Sequence, residues 1–221
     1  MPFNSLYFIL AFTLLITSTL GCQNTPKKEP LSKTTAKTKT VDLLKHVDVI
    51  RDATKGKWTK FGNVIKIEEK KSYCKLQFPY EVEGDYQLNI DFARTKGNEM
   101  ILIALPVKST FVGVMLSGWG GNISGLHQIG GKGAESNSTR ISPGKFDNNK
   151  IHHFQANVKY LEDDIVSIKI NFNKKQIISW AGSVNQLKLN IHQPNGKFPA
   201  FVVHHSHATL HKAKLILQPN Q

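Results

Sequence analysis

The sequence predicts an all-β protein, a two-sheet antiparallel jelly-roll sandwich with a short N-terminal helix. Three observations carry this expectation. Apolar and polar residues alternate with a period of two through several segments, the mark of strands that bury one face. The apolar stretch 100–107 (MILIALPV) reads as a central strand covered on both faces, with 111–116 as its neighbour. Only one short stretch has a helical period. With 40% hydrophobic and 20% charged residues, the 221-residue chain can build one real core. That composition excludes wholesale disorder, a collagen and a polytopic membrane protein. Two cysteines exclude a disulfide scaffold, and no C-x-x-C pair is present for a zinc knuckle.

The chain begins with an uncharged apolar run, Leu6 to Leu20. Its fifteen residues are short for a bilayer span and suit the core of a secretory signal. The run ends in Thr19-Leu20-Gly21-Cys22, which resembles the bacterial lipoprotein lipobox. The resemblance implies a signal peptide over residues 1–21, lipidation of Cys22, export, and a membrane anchor at the cell envelope. Against the usual pattern, the first five residues carry no Lys or Arg, and Thr19 stands where Leu is common. Residues 22–40 then read as a disordered basic tether, too poor in apolar groups to offset the entropy of ordering. The tether holds five Lys and one Glu, so +9 of the net charge of +13 belongs to the domain expected over residues 41–221. Such a balance is either a solvated surface or an attraction to an acidic partner, here an anionic polysaccharide or lipid. Nucleic acid is not expected: no helix-turn-helix or aromatic RNA-binding motif occurs.

Within the domain, Leu43 or Leu44, Val47 and Ile50 fall on one helical stripe, with Thr40 as N-cap. Half-buried strands follow where Tyr86, Leu88, Ile90 and Phe92 alternate with polar residues. The same holds for Phe154 to Tyr160 and for Val166 to Phe172. Residues 173–176 (NKKQ) mark a hairpin. Further strands are expected at 64–67, 73–78, 198–204 and 209–217, roughly ten to thirteen in all. Two facing sheets bury each other's apolar sides, and no repeat points to a propeller.

Four stretches taken together carry a resemblance: 41–58 (VDLLKHVDVIRDATKGKW), 75–94 (KLQFPYEVEGDYQLNIDFAR), 118–126 (GWGGNISGL) and 165–182 (IVSIKINFNKKQIISWAG). Over about residues 41–218 the chain resembles bacterial exported proteins with a concanavalin A-like lectin/glucanase jelly roll. Laminin G-like and 3-keto-disaccharide hydrolase-like domains share that fold. The resemblance implies a carbohydrate-binding or carbohydrate-cleaving module, and the site must decide between them. Laminarinase-like members carry E-x-D-x-x-E on one strand. Neither Glu83-Gly84-Asp85 nor Glu162-Asp163-Asp164 completes it, and Glu99 and Asp91 stand alone. The expectation is therefore a non-catalytic binding module with no cofactor. A keto-sugar hydrolase using histidines, or an adhesive protein with a protein partner, is the alternative.

The candidate ligand-binding residues are Trp119, Asn122, His127, Arg140, His205 and His207. Trp119 stands between glycines in a glycine-rich loop over residues 117–133, where an indole can stack on a sugar face and Asn122 can bond its hydroxyls. That loop lacks the G-x-x-x-x-G-K-[ST] phosphate signature. His127 follows it, and Arg140 can add charge beside it. His205, His207 and His211 would share a face of a continuous strand and offer imidazoles to a ligand; the other reading is a turn between the last two strands. No metal site is assigned. Trp58 and Trp180 read as packing residues, His152 as packed, His153 as solvent-facing, and Cys74 as a buried thiol.

Overall fold

The computed structural model describes residues 38–68, 72–188 and 196–219. The expected signal peptide, Cys22 and nearly all of the expected tether lie outside them. Fourteen strands occur among the described residues, and they form two antiparallel sheets. The strands are β1 (Lys39–Asp42), β2 (Ala53–Lys55), β3 (Trp58–Phe61), β4 (Val64–Ile67), β5 (Cys74–Gln77), β6 (Tyr86–Lys96) and β7 (Ile101–Val107). They continue as β8 (Thr110–Ser117), β9 (Ile123–His127), β10 (His152–Glu162), β11 (Ile165–Phe172), β12 (Lys175–Ser183), β13 (Ala200–Val203) and β14 (His207–Leu217). The larger sheet runs β12-β11-β10-β6-β14-β4-β3, with β1 also paired to β14. The smaller runs β2-β5-β13-β7-β8-β9.

Alternation places the core. Tyr86, Leu88, Ile90 and Phe92 are buried, and β10 and β11 bury Phe154, Ala156, Val158, Val166, Ile168 and Ile170 beside them. From the smaller sheet Ile101, Ile103, Leu105, Val112, Val114, Phe201 and Val203 meet this layer. Tyr86 closes the contact with a hydrogen bond from its hydroxyl to the Pro106 carbonyl (2.9 Å), so its polar tip is satisfied in the interior. β7 is buried on both faces: Ile101, Ile103 and Leu105 join the core between the sheets, and Leu102 and Ala104 belong to a second apolar cluster on the opposite face.

The N-terminal helix differs from expectation. Val41 and Asp42 pair with Leu215 and Lys214 of β14, so the chain enters as a strand, and Lys39 and Thr40 of the expected tether belong to it. Two single turns follow, α1 (Leu43–His46) and α2 (Val49–Asp52). Asp48, not Thr40, caps the second by accepting the Ile50 and Arg51 N–H groups. The stripe breaks between the two turns: Leu43, Leu44 and Val47 are buried, whereas Ile50 is 91% exposed. Trp58, the expected packing residue, is buried in β3 and donates its indole N–H to the Lys55 carbonyl (2.8 Å).

Cys74 is fully buried. His152 is packed, stacked on Phe172 at 5.2 Å between centroids, while His153 is exposed and meets Asp91. Trp180 is half-buried against the core.

Candidate functional site

The outer face of the smaller sheet carries a second apolar layer. In register across β13, β7 and β8 lie Val202, Leu102 and Met115, each almost without exposure, and Met100 extends the row's edge. These side chains floor a cleft of about 360 Å³. Its rim holds Trp119, His127, Tyr73, His204, His205 and Glu99. An apolar floor with a few polar groups converging on it is the usual make-up of a small-ligand site.

Trp119 reaches the rim through an unusual backbone. Ser117, Trp119, Gly120 and Gly121 all have positive φ, so the chain leaves β8 through a left-handed turn. Glycine takes this conformation without penalty, but Trp119 in the left-handed region costs about 1–2 kcal/mol. The Asn122 amide donates to the Trp119 carbonyl (2.7 Å) and holds the turn. The indole remains 49% exposed, so it is not a core anchor.

A buried cation ties the two sides of this region together. Arg94 is 3% exposed on β6. It donates to the Ser117 hydroxyl (2.7 Å), the Glu99 carbonyl (3.0 Å), the Phe146 carbonyl (3.0 Å) and Asn148 Oδ1 (2.6 Å). Its guanidinium also lies over the Phe146 ring at 4.3 Å. Burial pulls its pKa below the ordinary value, against the pull of Glu99. Ser206, wholly buried, fixes Glu99 from the other side: its hydroxyl accepts the Glu99 N–H (3.2 Å) and donates to the Glu99 carbonyl (3.3 Å). The Glu99 backbone and the start of the Trp119 turn are thus held by one network.

His127 ends β9. Its Nδ1 accepts the Ala134 N–H (3.4 Å), and its Nε2 lies 3.4 Å from the Gln128 amide nitrogen. Burial lowers its pKa below the ordinary histidine value, against Glu135, so the ring is uncharged at neutral pH. His205 Nε2 bonds Ser72 Oγ (2.9 Å). Tyr73, His204 and His205 form a continuous aromatic wall, with centroids 4.4 and 4.2 Å apart.

The fold thus brings three of the six sequence candidates, Trp119, His127 and His205, to one cleft. It does not bring Asn122, Arg140 or His207 there. Asn122 spends its amide on the Trp119 turn. Arg140 is exposed on the segment beyond, and His207 sits in β14 opposite Lys96. The continuous strand imagined through the histidines is broken: β13 stops at Val203, His205 has a positive φ, and a bulge between Leu210 and Lys212 resets the parity before β14 runs on. The glycine-rich stretch read as loop contains β9. No group of three or more metal-ligating side chains occurs among the described residues.

Sequence reasoning missed Tyr73, His204, Ser206 and Arg94, and set Glu99 aside. For Arg94 a signal existed: it shares the parity of Tyr86, Leu88, Ile90 and Phe92, which puts a cation on the buried face of β6.

No family model matches the sequence, and no curated protein matches it. Solved structures do resemble the fold. A putative glycosyl hydrolase from Parabacteroides distasonis superposes with a TM-score of 0.50 at 13% identity, covering 80% of this chain and 98% of its own. A conserved carbohydrate esterase from the Shiga toxin-encoding bacteriophage phi24B gives 0.51 at 10% identity, covering 76% and 90%. A carbohydrate-binding module, CBM66, from Bacillus subtilis gives 0.49 at 12% identity, covering 73% and 92%. At these identities the likeness is one of fold alone, that of a two-sheet jelly-roll sandwich.

Proposed function

We propose that the protein is a lipid-anchored carbohydrate-binding module that takes its sugar in the Trp119 cleft. The observation that carries this reading is the indole of Trp119, half exposed on a strained left-handed turn above a floor of Leu102, Met115 and Val202. A flat aromatic ring gains from the C–H face of a pyranose, and Glu99, His127 and His205 supply acceptors and donors for its hydroxyls. Backbone strain at a non-glycine residue is most often retained where it serves a site. Two proteins of this fold are described as a putative glycosyl hydrolase and a carbohydrate esterase, and both act on sugars by those descriptions.

Trp119→Ala is the test. Titration calorimetry against a panel of neutral oligosaccharides should show affinity falling about tenfold or more for the ligand the parent binds. The melting temperature should stay within about 2 °C, as for other exposed substitutions. Unfolding of the variant, or unchanged affinity, would remove the reading.

A second reading has one observation in its favour: the Glu99 carboxylate and the uncharged His127 ring line the same cleft, the pairing an enolising hydrolase of keto-sugars would use. Turnover of a 3-keto-disaccharide in the same assays, lost in His127→Gln, would replace binding with catalysis.

Export and anchoring at the envelope belong to the proposal through Cys22. A fatty acid added during growth should label the parent and leave Cys22→Ala unlabelled; equal labelling refutes the anchor. The cleft itself gives no reason for a preference for anionic polysaccharide, because among the described residues Glu99 is the only Asp, Glu, Lys or Arg side chain in its lining.

A further inference from the structure

Away from the cleft, the outer face of the larger sheet carries four lysines, Lys159, Lys169, Lys212 and Lys214. Strand register sets the composition of that face in rows. One row is Lys214, Asn89, Gln155, Asn171 and Gln176, running across β14, β6, β10, β11 and β12. The next is Ile216, Gln87, Asn157, Lys169 and Ser179. Lys212, Asp91 and His153 form a third, and Lys159, Ser167 and Ala181 a fourth beyond the second. The residues between them, such as Leu88, Ile90, Ala156, Ile170 and Leu215, point into the core.

The amides on this face are ordered before any partner arrives. Gln87 and Gln155 both donate to Asn89 Oδ1, at 3.0 and 3.2 Å, and Asn171 donates to Gln155 Oε1 at 2.8 Å. With Asn89 Oδ1 accepting from two amides, the donors of its own amide are the groups an arriving acceptor would meet. Lys159, Lys169, Lys212 and Lys214 surround this relay. Two acids stand in register with these rows: Asp91 is engaged by His153 (2.9 Å) and Lys212 (3.6 Å), and Asp42 of β1 extends the first row beside Lys214.

We propose that this face is a second binding surface, independent of the cleft, for an extended carboxylated polysaccharide such as a polyuronate. The lysines would meet the carboxylates, and the pre-ordered amides the hydroxyls. Five strands at about 4.8 Å spacing give a platform about 19 Å wide, with one polar side chain per strand in the first row. That interval is close to the length of one sugar residue in an extended chain. The rows lack the aromatic rings a single-stranded nucleic acid would stack on. Ile216 is their one large aliphatic side chain, too little to insert into a lipid surface.

The test uses the full-length protein in detergent with a polygalacturonate oligosaccharide as probe. The K169Q/K212Q/K214Q variant should bind about tenfold more weakly at low salt, and its slope of log affinity against log salt should fall by about two. Asn89→Ala, which changes no charge, should weaken polygalacturonate binding about threefold to fivefold and leave inorganic polyphosphate binding unchanged. Trp119→Ala should leave the polyuronate affinity as it was. No polyuronate binding by the parent at about 50 mM salt would overturn the proposal. So would an unaffected triple variant. Equal effects of Asn89→Ala on both polyanions would also refute it, since they would reduce the face to unspecific charge. Tighter binding to phosphatidylglycerol vesicles than to the oligosaccharide would assign the face to a membrane instead. Loss of sugar binding in the cleft with retention here would sink only the cleft reading.

Discussion

Replacing Arg94 with Met is expected to lower the unfolding free energy by about 3–5 kcal/mol, read as a drop in the urea midpoint with little change in slope. The side chain has similar length, so a cavity is not the cause. The loss comes from the buried Ser117 hydroxyl and the half-buried Phe146 carbonyl, which lose their donor, and from the bonds to Asn148 Oδ1 at the surface and to the Glu99 carbonyl, which keeps only Ser206. The guanidinium's contact with the Phe146 ring goes as well. Lysine keeps the charge but not the planar fork, and Arg94→Lys should recover less than half of the loss. The same variants carry a second readout. Because Arg94 anchors both Ser117 and Glu99, amide exchange at residues 117–122 should accelerate more than exchange in β10 or β11, and affinity in the cleft should fall in step. Uniform acceleration over the whole domain would show Arg94 to be a general core residue with no special tie to the cleft.

Phe92→Ala is expected to cost about 3–5 kcal/mol as well, by a different route. Phe92 is wholly buried at the centre of an aromatic cluster. Its ring meets Phe201 of the opposite sheet at 5.5 Å, Phe146 at 5.7 Å, His152 at 6.0 Å and Phe172 at 6.3 Å between centroids. Truncation opens a cavity exactly where the two sheets meet, and the neighbours belong to four separate segments that cannot all close on it. Phe92→Leu fills most of the space and should cost about 1–2 kcal/mol. The check is the ratio between the two variants in denaturant unfolding. A Leu variant as unstable as the Ala variant would mean that edge-to-face ring contacts, not volume, hold the cluster.

The difference between what was legible and what was not follows particular residues. Tyr86 to Phe92, Phe154 to Tyr160 and Val166 to Phe172 announce their strands because a half-buried strand needs no more than its own alternation. Trp119, His127 and His205 were legible as candidates by residue type. The failed expectations cluster where a partner strand overrides the local pattern. Val41 and Asp42 are drawn into register with β14, and Asp48 restarts the helix that Thr40 was expected to cap. Bulges in β14 reset the histidine spacing that a straight strand would keep.

By itself, then, the sequence determined the class of fold, the inward faces of its long strands and the acyl-anchor expectation at Cys22, since each is written in a local period or a contiguous motif. The tertiary structure alone decided that Tyr73, Glu99, Trp119, His127 and His205 share one cleft, and that Asn122, Arg140 and His207 stand outside it. It also decided which amides and lysines of β6, β10, β11 and β14 fall into rows. These are products of strand order and register, which pair residues far apart in the chain and leave no trace in any local window.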